Sequence, residues 1–265
     1  MSKEKDFKAL CLQALPIVKK ASEFIKGEHG KVSQDSIETK ELNSLVSYVD
    51  KTAEEILVDG LGKILPEAQF LTEEETVVQG NGKIRWIIDP LDGTTNFLHQ
   101  IPHYAVSVGL EIDNELVAGI VEHVPHEEQY YAWTGGGAFL NNRRIISNQN
   151  QQLSDAVVAT GFPYNAQSEE AISDLIVYWM KNARSIRRFG SAALDLIYVA
   201  RGIFDFYYEL SLNAWDIAGG AVIVKEAGGQ VSDFYGSEEF LTEGRILASN
   251  GNLHDEVLKI LKHHF

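Results

Sequence analysis

Between Lys83 and Thr134 lie the apolar segments KIRWIID, HYAVSVGLEI, ELVAGIVEHV and EQYYAWT, with turn residues at Asp113-Asn114 and Pro125-His126. Alternating runs joined by such turns predict antiparallel hairpins. Helical spacing at Phe7, Leu10, Cys11, Ala14, Val18, Ala21 and Ile25, and again from Val49 through Ala53, Leu57 and Leu61 to Ile64, predicts two helices to cover that sheet. Pro16 should kink the first, and Pro66 should stop the second. The polar stretch between them, residues 27–40, reads as a mobile loop. Beyond residue 150 strand and helix patterns mix. AVVATGF, FDFYYEL and RILASN predict strands; SEEAISDLIVYWMKN, GSAALDLIYVARG, AWDIAGGAVIVKEAGG and LHDEVLKILKHH predict helices. The fold class that follows is α+β, with sheets layered between helix pairs.

One apolar run ends in an unusual way. WIIDPLDGTTNF, residues 86–97, places Asp89 before Pro90 and Asp92 three residues on. A residue before proline is pushed toward extended geometry, and proline cannot continue a ladder, so the strand should end and turn at Leu91. Carboxylates at i and i+3 can then converge, joined by the Leu91 carbonyl, and such oxygens suit a hard cation such as Mg²⁺. Asp92 is also a favoured N-cap residue, so Gly93, Thr94, Thr95 and Asn96 would offer backbone N–H groups to an anion. Cation ligands beside an anion cradle suit metal-assisted phosphate ester hydrolysis. The plain alternative is a surface turn with a capping aspartate. Two further acidic ends weigh against it: Glu73 and Glu74 at the end of FLTEEE, and Asp216 at the start of a long apolar helix.

The charge balance of −15 disfavours nonspecific binding to nucleic acid or an anionic membrane. It does not forbid an anionic substrate, because bound cations invert the local sign. Cys11 is the only cysteine, which excludes an intrachain disulfide and fits a reducing cytoplasm. The charged N-terminus lacks a signal-peptide apolar region, and no run is long enough to span a bilayer. A soluble, cytoplasmic protein is expected.

In LVSYVD (45–50), LTEEE (71–75), WIIDPLDGTTNF (86–97), RRFGSAALDL (187–196) and YYELSLNAWDIAGGAVIVKEAGG (207–229) the chain resembles the inositol monophosphatase family of Mg²⁺-dependent, lithium-sensitive phosphatases. The resemblance covers nearly the whole chain. It implies one domain over residues 1–265, with lobes 1–150 and 151–265, folded as an αβαβα sandwich. The N-terminal sheet would be largely antiparallel and the C-terminal sheet mixed. It implies a homodimer and two or three Mg²⁺ ions. Glu73, Asp89 and the Leu91 carbonyl would hold one ion; Asp89, Asp92 and Asp216 a second; Glu73 and water a third. Catalysis would fall to Glu73, Thr94 and Asp50, the last two orienting and deprotonating a water. The backbone of Gly93 and Thr94 would hold the phosphate. Asp92, Asp216, Glu209 and the Ala192 backbone would contact the substrate.

Two departures are modest: Thr72 stands where glycine is usual, and Val49 where threonine is common. The segment with Thr39 and Lys40 aligns poorly and receives no role. The resemblance implies a small phosphorylated polyol as substrate, inositol monophosphate first, because Thr95-Asn96-Phe97 is similar to the inositol branch. The alternatives are fructose 1,6-bisphosphate, histidinol phosphate or a 3′-phosphonucleotide, and, from another class, a protein partner of the transcription machinery. Zinc on His99, His103, His123 and His126, nucleotide binding by GGGAF, and a serine nucleophile at Ser191 are set aside for want of the required spacing. Arg187 and Arg188 are read as solvent-exposed or dimer-contact residues, and Tyr207 and Trp215 as core or wall.

Overall fold

The computed structural model describes residues 6–32, 38–41, 44–162 and 169–265. The first part of the chain forms α1 (Phe7–Glu28), β1 (Glu38–Glu41), β2 (Ser44–Val46), α2 (Tyr48–Ile64), β3 (Gln69–Thr72), β4 (Ile84–Asp92) and α3 (Thr94–Leu98). A meander follows: β5 (Ala105–Ile112), β6 (Glu115–His123), β7 (Glu128–Trp133), β8 (Gly137–Leu140) and β9 (Arg143–Ile145). The remainder is β10 (Val157–Thr160), α4 (Glu169–Asn182), β11 (Ser185–Arg187), α5 (Ala192–Ala200), β12 (Phe206–Leu210), α6 (Ala214–Glu226), β13 (Gln230–Ser232), α7 (Phe240–Glu243), β14 (Arg245–Ser249) and α8 (His254–His264).

The strands form a seven-stranded sheet in the order β3-β4-β5-β6-β7-β8-β9 and a five-stranded sheet in the order β11-β10-β12-β14-β13. The larger is antiparallel apart from the β3–β4 pair; the smaller mixes both senses. Apolar packing stacks them in layers. Leu57 and Leu61 of α2 and Cys11, Val18 and Ile25 of α1 pack on one face of the larger sheet with Trp86, Val106 and Ile120. Helices α5 and α6 fill the space between the sheets, where Leu196 and Ile223 meet Val121 and Tyr130 from one side and Tyr207 and Ala248 from the other. Trp179 of α4 and Leu261 of α8 cover the outer face of the smaller sheet with Phe206 and Leu247. The result is the expected αβαβα order. It explains why β5 is buried along nearly its whole length: both of its faces are covered.

Helix α6 lies unusually close to the larger sheet. A Cβ on Gly219 would meet Ser107 Oγ at 2.8 Å and the carbonyls of Val108 and Ile120 at 3.0 Å, and one on Gly119 would meet the Gly219 carbonyl at 2.2 Å. Only bare backbone on both surfaces allows this approach.

Several local expectations are corrected. β4 does not end at Asp89; it continues through Pro90 to Asp92. Its pairing with β5 passes from Asp89↔Ser107 to Asp92↔Ala105, three steps against two. The extra residue is a bulge, where a proline without an N–H is tolerated. The segment read as a loop over 27–40 ends in β1, which pairs with β2; residues 33–37 of that segment lie outside the described residues.

Candidate active site

The bulge in β4 sends the chain past Asp92 into a tight corner. Gly93, with φ of 89°, is the N-cap of α3, in place of Asp92 as the sequence suggested. Glycine is required here: a Cβ would meet the His103 carbonyl at 3.1 Å and the Gly190 carbonyl at 3.3 Å. Asn96 closes the corner by donating from Nδ2 to the carbonyls of His103 at 2.7 Å and Phe189 at 2.9 Å. The corner thereby joins the loop before α5.

Asp92 instead faces the start of α5. Its Oδ2 accepts from the Ser191 hydroxyl and, at 2.8 Å, from the Ala193 backbone N–H. Ser191 is the N-cap of α5, its Oγ accepting from Leu194 N. A carboxylate at this end of a helix also meets the positive pole of its dipole. Asp216 occupies the third position of α6, where its Oδ2 accepts from Asn213 N at 2.6 Å in a capping-box arrangement.

Asp89 is sealed from solvent at 1 % exposure, with the half-buried Glu73, Asp92 and Asp216 beside it; Thr94 and Glu209 are half-buried as well. Burial, followed by the negative charges of Glu73, Asp92 and Asp216, holds the Asp89 carboxyl well above the ordinary carboxylate range. A side-chain hydrogen bond links it to Glu73, which needs a proton between the two acids. Burial pushes Asp92 up to about 6, and burial together with the Asp92, Glu73 and Glu209 charges raises Asp216 well above its usual value. Glu209 is pushed up to about 7 by burial, opposed by the Tyr207 hydroxyl, which donates to its Oε2 at 2.6 Å. The groups thus share one electrostatic field. Among the described residues, no three His, Cys, Asp or Glu side chains are arranged to hold a metal ion as they stand. Asp92 and Asp216 each commit one oxygen to the protein, and Glu73 is bonded to Asp89. The donor set is nevertheless all oxygen and strongly anionic, as a hard divalent cation requires.

Beside this cluster, Thr94 Oγ1 lies 3.0 Å from both Asp50 Oδ1 and the Leu91 carbonyl oxygen. Its single proton can serve one of them at a time. Asp50 is buried at the third position of α2 and accepts from Ser47 N and Ser47 Oγ at 2.8 Å. Burial holds its carboxyl above the usual range, opposed in part by these bonds.

The inositol monophosphatase family model matches residues 8–264. Inositol-1-monophosphatase of Mesorhizobium japonicum is 40% identical over 247 residues, covering 92% of each chain. Nus factor SuhB of Pseudomonas aeruginosa is 37% identical, covering 95% of each. The crystal structure of extragenic suppressor protein suhB from Bartonella henselae superposes with a TM-score of 0.91 at 36% identity, over 96% of this chain and 98% of that one. The chain belongs to the inositol monophosphatase family. This membership supports a phosphatase activity and agrees with the layered fold described above.

The structure draws further residues into the site. Ser191 holds Asp92, and Tyr207, read from the sequence as core or wall, is buried and orients Glu209. Asp195, one turn into α5, is buried with Oδ1 unpartnered, and burial with the charges of Glu209 and Asp92 raises its carboxyl well above the usual range. Arg188 is exposed as expected, but its charge also lowers Asp92, Asp195 and Glu209, so it faces the site. A serine hydroxyl or buried tyrosine beside a conspicuous acid carries no sequence signal of its own. The Ala192 backbone N–H faces Asp92. His103, His123 and His126 do pack together as a ring cluster, with His123 and His126 ring centroids 4.3 Å apart.

Proposed function

We propose that the protein is a Mg²⁺-dependent phosphomonoesterase of small phosphorylated polyols, with inositol monophosphate as the substrate. The observation that carries this reading is the convergence of Glu73, Asp92 and Asp216 on the buried Asp89 carboxyl. Four acids held against their own repulsion make sense as a receptor for cations. Glu73, Asp89 and the Leu91 carbonyl would hold one Mg²⁺, Asp89, Asp92 and Asp216 another, and Glu73 with water a third. Bound there, Mg²⁺ supplies a Lewis acid that neutralises the ester phosphate and acidifies water.

The chain's own groups supply the rest. Thr94 can give its proton to Asp50 Oδ1 and so turn a lone pair toward a water, orienting it for attack. Asp50, anchored by Ser47, would take up the proton, and Glu73 would share in the catalysis. The backbone N–H groups of Gly93 and Thr94 lie in the first turn of α3 and would receive phosphate oxygens. Glu209, fixed by Tyr207, and the Ala192 backbone would meet hydroxyls of the polyol. No covalent phosphoenzyme is required. The same reading carries lithium inhibition, a homodimer, a cytoplasmic setting and one domain over residues 1–265 as expectations.

The test is phosphate release across a panel of polyol, sugar and nucleotide phosphates, with Mg²⁺ and with chelator. Inositol monophosphate should be turned over fastest, and chelator should abolish turnover. Full activity after metal stripping sinks the reading. A second reading, a protein partner of the transcription machinery, is favoured by the name Nus factor carried by relatives. Co-purification with RNA polymerase that survives Asp89→Asn would support it as a separate role.

A further inference from the structure

Helix α2 carries two buried acids one turn apart. Asp50 reaches Thr94; Glu54, at 0 % exposure, reaches the segment that follows β3. Glu54 Oε1 accepts from Thr72 Oγ1 at 2.9 Å, Thr76 N at 2.8 Å and Thr76 Oγ1 at 2.7 Å, and Oε2 accepts from Glu74 N at 2.7 Å. The loop is tied elsewhere as well. Gln79 Oε1 accepts from Thr72 N at 2.7 Å, and Glu73 N donates to the Ile88 carbonyl at 3.2 Å. Glu73 therefore sits between two neighbours, Thr72 and Glu74, that are both bonded to the same carboxylate, while its own backbone is pinned to β4 one residue before Asp89.

We propose that Glu54 is a positioning residue that presets the backbone around Glu73 for divalent-cation binding, so that it governs cation affinity and leaves the chemical step alone. This rests on the reading of the acidic cluster as a Mg²⁺ site. The physical argument is preorganisation. A loop that carries a ligand costs conformational entropy to order, and a loop already ordered by four bonds to a buried acceptor has met that cost on folding. The partners that hold ligands in place are commonly worth about 10–100-fold in metal affinity. The arrangement also makes α2 the common support of two site loops, since a shift of the helix moves Asp50 and Glu54 together.

The experiment is calorimetric Mg²⁺ titration of the stripped full-length protein, alongside thermal melting and phosphate release at saturating Mg²⁺. In Glu54→Gln the amide oxygen can retain the three donors at Oε1, while its NH₂ faces Glu74 N–H and breaks that one bond. Mg²⁺ affinity should fall by about tenfold, with kcat at saturating Mg²⁺ within about threefold of wild type. Thr76→Val, which removes a single hydroxyl donor and keeps the shape, should give a smaller loss in the same direction and covers the case in which Glu54→Gln does not fold. A purely structural Glu54 would lower the melting temperature and leave Mg²⁺ affinity and its separation from kcat unmoved; that result overturns the inference. Absence of Mg²⁺ binding by the wild type would instead overturn the reading of the site, and the inference with it.

Discussion

Glu54 and Asp89 are both carboxylates withdrawn from solvent, and their surroundings are opposites. Glu54 meets four donors from one loop. Asp89 receives the Leu91 backbone N–H at 2.9 Å and otherwise faces acids, sharing a hydrogen bond with Glu73 and lying in the field of Asp92 and Asp216. Burying a charged group is costly unless it is paired or fully bonded. At Glu54 the fold supplies the partners itself. At Asp89 it withholds them, so the site is stable only to the extent that protons or cations make up the difference. The first arrangement builds structure, and the second stores binding capacity.

Substitution should separate the two most sharply at Asp89. Asp89→Asn removes a carboxyl that the metal-free fold can bury only by taking up a proton, so at neutral pH the metal-free protein should melt at a higher temperature than wild type. Turnover should fall by at least about a hundredfold, since even groups that merely support metal ligands are worth up to that much. A variant that is less stable and still active would erase the distinction. Glu54→Ala should behave in the opposite way. It strands four buried donors, and even at about 1 kcal/mol each the melting temperature should drop by roughly 8–16 °C in a chain of this size. A change of less than about 2 °C would mean that water replaces the carboxylate without loss.

The smallest effect is the dependence of stability on pH without metal. Glu209, at about 7, and the more strongly raised Asp89, Asp195 and Asp216 hold protons in the folded chain that the unfolded chain has already released. Where the folded state binds more protons, stability falls as pH rises through the folded values. Half-buried His103 and buried His123 and His254, each lowered to about 4 with burial the largest cause, act in the other direction, and that contribution is complete by about pH 6.5. Above about pH 6.5 only the raised acids remain in play, so the metal-free melting temperature should decline from there toward pH 8. Saturating Mg²⁺ should flatten the decline, and so should Asp89→Asn. A melting temperature still rising at pH 8 without metal would contradict the assignment of raised acids.

The layered fold was legible because hydrophobic period and turn pairs are local signals: the meander from β4 to β7 and helices α1, α2, α5, α6 and α8 follow them closely. The short strands β8, β9, β11 and β13 were missed, being three or four residues long and defined by their neighbours. At the site, acids at strand and helix ends stood out as chemistry. Their actual partners did not. Proline suggested a strand end after Asp89, whereas pairing with β5 carries β4 onward through a bulge. Asp92 was read as capping the helix that follows it, and it serves α5, about a hundred residues later in sequence. Glu54 gave no signal, because a glutamate in a helix usually faces water, and only the return of the Thr72–Thr76 segment shows what it is for.

The bare-backbone contact between α6 and the larger sheet has a consequence for biosynthesis. A ribosome delivers β3 through β6, and with them Glu73, Asp89 and Asp92, well before it delivers α6. Until then the valley at Gly119 is uncovered, and Asp216 does not exist to complete the acidic ring. Seating Gly219 in that valley is thus the event that both closes the interior and delivers the last acid. A chain released early, before α6, would carry most of the acidic groups named above and none of the assembled centre.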